Sequence, residues 1–317
     1  MNGNGFIRAK EKVHFRWSCT PWQGQVSPES LSPHRLKEPT GCGAVATGVL
    51  ASCPNAYLHA QWCSKKGRNM KKISELDDSY WTYENADFET AYAGFLEEHK
   101  KVGIYEVAGL KFFCPSGVYQ PHEFSTTRFA LRGLHKERNK FGNKLLELGA
   151  GSGAIGICLA STGMEVTLLD VDPVAVECSK NNAAVNNVQV NVLQSDLFAA
   201  VQGQKYDVIF FNIPLLDKSI EDPLEIISCD EGGQLLARFL SEAPNHLLPN
   251  GQVYVSVGNI SNKEALLRAI ADYDEHIVYA EFYGGTGGWR WLIFTYTASF
   301  RDGGWIRRSA PSLNEAV

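Results

Sequence analysis

The chain has 317 residues, 44% of them hydrophobic and 21% charged, which is enough to bury a sizeable core. Its net charge of −5 hides an asymmetry: nine Lys/Arg face three Glu over residues 1–69, whereas 21 basic side chains face 32 acidic ones from Met70 onward. That acidic majority argues against an extended nucleic-acid surface, and no run of apolar residues approaches membrane-spanning length.

Residues 1–69 carry four of the eight cysteines and many Gly, Pro and Ser, with no sustained helical or strand period. They read as an irregular or disordered extension. The abrupt change of composition favours translated sequence upstream of a start at Met70 over a basic tail or a targeting peptide. A small-residue run, Gly41 to Ala51 before Ser52 and Cys53, is a weak export signal because it lacks a Leu/Ile core. No pair of cysteines stands at C-x-x-C spacing, so the expectation is reduced thiols in a cytoplasmic protein, with no disulfide framework and no metal site.

From Met70 the pattern becomes regular. Residues 70–120 read as a small helical and β-hairpin segment: Phe88 to Lys101 has helical spacing, and Ile104–Val107 and Leu110–Phe113 flank a two-residue turn. Gly117-Val-Tyr-Gln-Pro121 then leads through hydroxyl residues that can cap a helix over Arg128–Leu134. A main domain follows over 121–300, with 301–317 as a tail.

The centre of that domain is Lys144 to Gly156, KLLELGAGSGAIG, read as strand, glycine turn and helix start. Glycines at 149, 151 and 153 let the backbone turn sharply and let a ligand approach it. Gly151, Gly153 and Gly156 also satisfy G-x-G-x-x-G, so a dinucleotide such as NAD stays open at this point. Strands are expected at Glu165–Asp170, Gln189–Leu193, Tyr206–Phe211 and Gly251–Val257, with helices at Pro173–Asn187, Gln234–Leu248 and Lys263–Tyr273. Such alternation means a mostly parallel sheet covered on both faces. His276–Tyr283 and Arg290–Thr297, separated by the glycine-rich stretch 284–288, fit an antiparallel pair closing one edge.

Ligands of open α/β sheets bind beyond the carboxyl ends of the strands. There the sequence places the glycine turn, Asp170, Ser195-Asp196-Leu197-Phe198 and Asn212-Ile213-Pro214-Leu215. Asp170 lies seventeen residues past Gly153, a spacing that suits a carboxylate on a ribose diol. Asp196 is placed to accept from an exocyclic amine. Each residue also has a plainer reading: capping aspartates for Asp170 and Asp196, an Asx turn for Asn212, a solvated pair for His122 and Glu123. Trp289 and Trp291 share one strand face and read as packing residues.

In succession, LLELGAGSG, LLDVDP, SDLF and FNIP resemble the motifs of class I S-adenosylmethionine-dependent methyltransferases, over about Gly103 to Thr297. Within that class, IYEVAGLKFF, GVYQP and CDEGGQLLARFL are similar to segments of the release-factor glutamine N-methyltransferase type, whose Asn-Pro-Pro-aromatic motif is here Asn212-Ile213-Pro214-Leu215. The resemblance implies a Rossmann-like fold, a seven-stranded mixed sheet with helices on both faces, with S-adenosyl-L-methionine as cofactor. It implies that Glu147, Gly149, Gly151 and Gly153 face the methionine part, that Asp170 takes the ribose, and that Asp196 with Val171 and Leu197 takes the adenine. Asn212 and Pro214 become the catalytic motif. Ile213, through its carbonyl, and Leu215 border the substrate, with Tyr119, His122 and Glu123 as further substrate contacts.

Leu215 lacks the aromatic face that packs on a flat amide or base. On that ground the sequence favours N-methylation of an amine, guanidine or amide on a small molecule, with protein glutamine methylation as the alternative. An NAD-dependent oxidoreductase and an inactive methyltransferase-like module are the competing classes.

Overall fold

The computed structural model describes residues 72–81, 88–123, 125–271, 273–283, 289–297, 300–301 and 304–305. The extension over 1–69, Phe124, the glycine stretch 284–288 and most of the tail 301–317 lie outside them.

A one-turn helix α1 (Asp78–Trp81) and the longer α2 (Phe88–His99) precede the antiparallel hairpin β1 (Gly103–Val107) and β2 (Leu110–Cys114). Ala108 and Gly109 supply the two positive φ angles, +51° and +80°, that a tight two-residue hairpin turn demands. Then come α3 (Thr126–Glu137), β3 (Lys144–Leu148), α4 (Ala154–Ala160), β4 (Glu165–Asp170), α5 (Pro173–Val185), β5 (Asn191–Gln194) and β6 (Tyr206–Asn212). The chain closes through α6 (Gln234–Glu242), β7 (Leu247–Gly258), α7 (Lys263–Ile270), β8 (Asp274–Tyr283) and β9 (Trp289–Thr297).

Seven strands form one mixed sheet in the order β5-β4-β3-β6-β7-β9-β8, parallel up to β7 and antiparallel beyond it. The expected antiparallel pair therefore does close one edge. Strand alternation splits the core. Leu146, Ile209, Phe211, Val253 and Val255 face α6 and α7, through Leu236, Phe239, Leu240 and Leu266. Leu145, Val208, Phe210 and Tyr254 face α3 and α4, through Phe129, Leu134, Ile155 and Leu159. The strand order reverses at β3, between β4 and β6, which puts the glycine turn after β3 where the two crossovers part.

Among the expected boundaries that shift, two helix ends have a clear local cause. The helix foreseen over Gln234–Leu248 ends at Glu242, followed by a 3-10 turn, Ala243–His246, and β7 already starts at Leu247. Pro244 has no N–H for the carbonyl of Leu240, which accepts instead from the hydroxyls of Tyr273 at 3.1 Å and Tyr296 at 3.2 Å. Similarly, α5 ends at Val185, because Asn187 takes a left-handed conformation (φ +54°).

The segment Lys72–Trp81 runs along β8 and β9. The buried carboxylate of Glu275 accepts from the N–H of Ile73 at 2.8 Å and from the N–H and hydroxyl of Ser74, while the hydroxyl of Tyr80 reaches the carbonyl of Arg290.

Candidate functional site

Beyond β3 the backbone turns through three left-handed glycines, Gly149 (φ +59°), Gly151 (φ +55°) and Gly153 (φ +74°), before α4 begins. A Cβ at Gly149 would stand 2.7 Å from the ring of Phe211. At Gly151 it would meet nothing nearer than Val118 at 4.0 Å, so the backbone there is open to a ligand. The turn is pinned from below: Ser179 donates to the carbonyl of Gly151 at 2.9 Å, and Asn182 donates to that of Ser152 at 2.9 Å.

Glu147 lies beneath the turn, 2% exposed, and its carboxylate accepts from the N–H of Gly156 at 2.7 Å. Burial pushes this carboxyl up to about 8 against that hydrogen bond. Asp170, at the end of β4, accepts from the N–H of Gly151 at 2.8 Å on one oxygen and from that of Asp172 at 3.0 Å on the other. Burial raises its pKa, with the two N–H groups opposing the rise. Each oxygen keeps a second lone pair, so the group can still take hydroxyl donors.

Val171, next along, is half exposed, an unusual position for a large apolar side chain at a strand end. Asp196 is exposed after β5, and its Oδ2 accepts from Nη2 of Arg238 at 3.0 Å. Leu197 is 6% exposed and takes φ +44°, which aims it into the sheet-face core beside Phe198.

The Asn212 to Leu215 motif ends β6. Asn212 pairs in register with Ser256 of β7, whose hydroxyl donates to its Oδ1, while its Nδ2 donates to Oγ1 of Thr126 at 3.0 Å. Thr126 in turn donates to the hydroxyl of Tyr119 at 3.1 Å. The amide is thus gripped by two other elements, and its partners are not those of an Asx turn. Ile213 is held in the core at 4% exposure. Leu215 is partly buried between the two core clusters and anchors its N–H on the carbonyl of Ser228 at 2.9 Å. Ile213, Pro214 and Leu215 line a small cavity with Asp230, Gly233 and Asn262.

His122 makes edge contacts with the rings of Tyr105 and His99, and Glu123 is exposed to solvent. His99 escapes a reading by motif. It is 1% exposed, its Nδ1 is 2.8 Å from the carbonyl of Phe95, and its Nε2 has no partner among the described residues. Burial lowers its pKa, so the ring is neutral near pH 7, with Nδ1 protonated and a bare lone pair on Nε2. One signal for it stands in the sequence: Phe88, Tyr92, Phe95 and His99 form an aromatic stripe along α2. Tyr92 of that stripe reaches Ser228 at 3.0 Å and Cys229 at 3.3 Å, so α2 lies on the loop that follows the motif.

The strand ends therefore bring together a glycine turn with an open backbone, a carboxylate with spare acceptor capacity, a half-exposed valine and an exposed aspartate. These are groups that suit a nucleoside with a polar, charged tail. Among the described residues no group of His, Cys, Asp and Glu is placed to hold a metal, and no helix is long and apolar enough to cross a membrane.

The family described as methyltransferase small domain matches residues 109–282. A Methanocaldococcus jannaschii protein, provisionally assigned as a protein N5-glutamine methyltransferase, is 33% identical over 174 residues, 53% of this chain and 85% of its own. The release factor glutamine methyltransferase of Lactococcus lactis is 29% identical over 135 residues, 38% of this chain and half of its own length. Among solved structures, a methyltransferase from Pyrococcus furiosus aligns with 67% of this chain and 98% of its own, at 23% identity and a TM-score of 0.43.

Proposed function

The chain belongs to the methyltransferase small domain family and takes its methyl group from S-adenosylmethionine, and from that premise we propose that it methylates a side-chain amide nitrogen, that of a glutamine in a protein. Asn212 carries this reading. Its amide is oriented by Thr126 and Ser256 at the end of β6, one strand over from the glycine turn. With one lone pair of Oδ1 taken by Ser256, the second remains for an N–H donor. The carbonyl of Ile213, whose side chain is held in the core, is the natural second acceptor.

A bound S-adenosylmethionine supplies an electrophilic methyl on a sulfonium. The residues of this chain then have three tasks: to hold the donor, to orient an amide nitrogen by accepting from its N–H groups, and to exclude water. Glu147 positions the turn; with the donor bound, the open backbone at Gly151 would take the amino-acid portion, Asp170 would accept from the ribose, and Val171 and Asp196 would border the adenine. Tyr119, through Thr126, sets the amide plane of Asn212.

The acceptor is the part in which the sequence and the relatives pull apart. Leu215 led the sequence reading to a small molecule, whereas the relatives reported above are named for glutamine in proteins. Leu215 is partly buried between the core clusters and borders the cavity of the motif, where its bulk can pack on an amide without a ring. The full chain incubated with labelled S-adenosylmethionine and a panel of glutamine-bearing proteins, peptides and small amines tests the proposal. A mass increase of one methylene on a glutamine side chain supports it. Methylation confined to the small amines overturns it.

A further inference from the structure

We propose that Arg238 is a positioning residue for the adenine end of the donor site, fixing Asp196 so that its free oxygen meets the exocyclic amine. This rests on the reading of Asp196 given above and adds to it a residue of another element.

The turn that carries Asp196 is rigid at its backbone. Ser195 donates its hydroxyl to the carbonyl of Leu197 at 2.7 Å and accepts from the N–H of Ala200 at 3.0 Å, and Leu197 takes a left-handed conformation. The carboxylate itself stands out in solvent, 58% exposed, where a short side chain on a surface turn samples several rotamers. Its one partner among the described residues is Arg238, through Nη2 to Oδ2 at 3.0 Å. The contact uses one nitrogen and one oxygen rather than the two-pronged arrangement open to a guanidinium, which leaves Oδ1 as an acceptor.

The base of Arg238 is equally well held. The first turn of α6 is held by Asp230, whose two carboxylate oxygens accept from the N–H groups of Leu235 and Leu236 at 2.8 and 3.0 Å. Phe239, next to Arg238, stacks on Phe198 at a centroid distance of 5.9 Å and meets Phe211 edge-on at 5.2 Å. Phe198 lies two residues beyond Asp196. The same aromatic pair therefore ties the helix to the turn, so the separation between the two charged groups is set by the core.

An ion pair between half-exposed groups contributes little to folding. Its consequence here is orientational. A carboxylate oxygen held toward the ligand accepts from a 6-amino group and repels a 6-oxo group, and a site built around an N–H donor rejects the analogue that lacks it.

The experiment titrates the full chain calorimetrically with S-adenosylhomocysteine and with its 6-oxo counterpart, S-inosylhomocysteine, for the wild type, Arg238→Ala, Arg238→Lys and Asp196→Asn. The wild type is expected to prefer the amino ligand about tenfold or more. Arg238→Ala should lose roughly five- to tenfold for the amino ligand with the oxo ligand unchanged, and Arg238→Lys should recover part of the loss. If Arg238→Ala keeps the wild-type ratio, or weakens both ligands alike, Arg238 does not position Asp196. If the wild type shows no preference while Asp196→Asn is silent, the adenine role of Asp196 falls with it. If neither ligand binds the wild type, the donor site itself is misassigned.

Discussion

Asn182 pairs with both backbone groups of Phe113: its Oδ1 accepts from the N–H at 2.8 Å and its Nδ2 donates to the carbonyl at 2.9 Å. The same Nδ2 donates to the carbonyl of Ser152 in the glycine turn at 2.9 Å. One turn along α5, Asn186 repeats the pattern with Lys111, at 2.9 and 2.7 Å. Two asparagines at i and i+4 thus act as the missing neighbour strand for the free edge of β2, and the first of them joins the hairpin to the donor site.

Replacing Asn182 with Leu keeps the bulk but strands the N–H of Phe113 and the carbonyl of Ser152 at a buried contact, while the carbonyl of Phe113 keeps the thiol of Cys178 at 3.1 Å. The expected loss is roughly 2–4 kcal/mol of folding stability. Asn186→Ala, on the more exposed pair, should cost less than about 1 kcal/mol. Urea unfolding of both variants checks the contrast, and equal losses would show that burial at Asn182 is not what matters.

Glu147 makes stability depend on pH. Its carboxyl is raised by burial from 4.5 to about 8 in the folded state. Between those values the folded chain holds a proton that the unfolded chain has lost, so the contribution of Glu147 is full below about 4.5 and disappears as pH rises through about 8. Over the window this amounts to about 1.4 kcal/mol per pH unit. Glu147→Gln keeps an acceptor for Gly156 and removes the proton. The wild type minus variant difference in unfolding free energy should fall across that window and then level off. Parallel curves would place the titration elsewhere.

Local chemistry was readable in the sequence, and distant pairing was not. The glycine turn, Asp170 at a strand end and the cap at Ser125 announce themselves because each depends on residues a few positions apart. The early end of α6 has a local signal too, in Pro244. The partners of Asn212 stand 86 and 44 residues away at Thr126 and Ser256, and no spacing rule joins them. Arg238 and Asp196 are 42 residues apart. Asn182 and Asn186 looked like ordinary polar positions on a helix, because the strand edge they serve comes from a hairpin about 70 residues upstream.

Asp170→Asn tests the ribose assignment. Both carboxylate oxygens face backbone N–H groups, so the variant must turn its NH2 toward one of them while also losing an acceptor for the diol. Affinity for S-adenosylhomocysteine should drop by about ten- to a hundredfold with the circular dichroism spectrum unchanged. Unaltered affinity would remove Asp170 from the donor site.

Asn212 and Ser256 separate donor binding from methyl transfer. Asn212→Ala takes away the acceptor proposed to orient the target nitrogen, and the Asn212 amide makes its hydrogen bonds to Thr126 and Ser256 rather than to the glycine turn or Asp170. Cofactor affinity should be preserved while kcat falls by about a thousandfold, close to 4 kcal/mol of transition-state stabilisation. Ser256→Ala leaves Asn212 in place, still held through Nδ2 by Thr126, and removes only the partner of Oδ1. Its effect should be smaller, roughly tenfold in kcat, because the amide can rotate away from its working orientation but is not lost. The order of the two effects carries the test. If Ser256→Ala were as damaging as Asn212→Ala, the serine hydroxyl itself would be meeting the acceptor, and Asn212 would be its support.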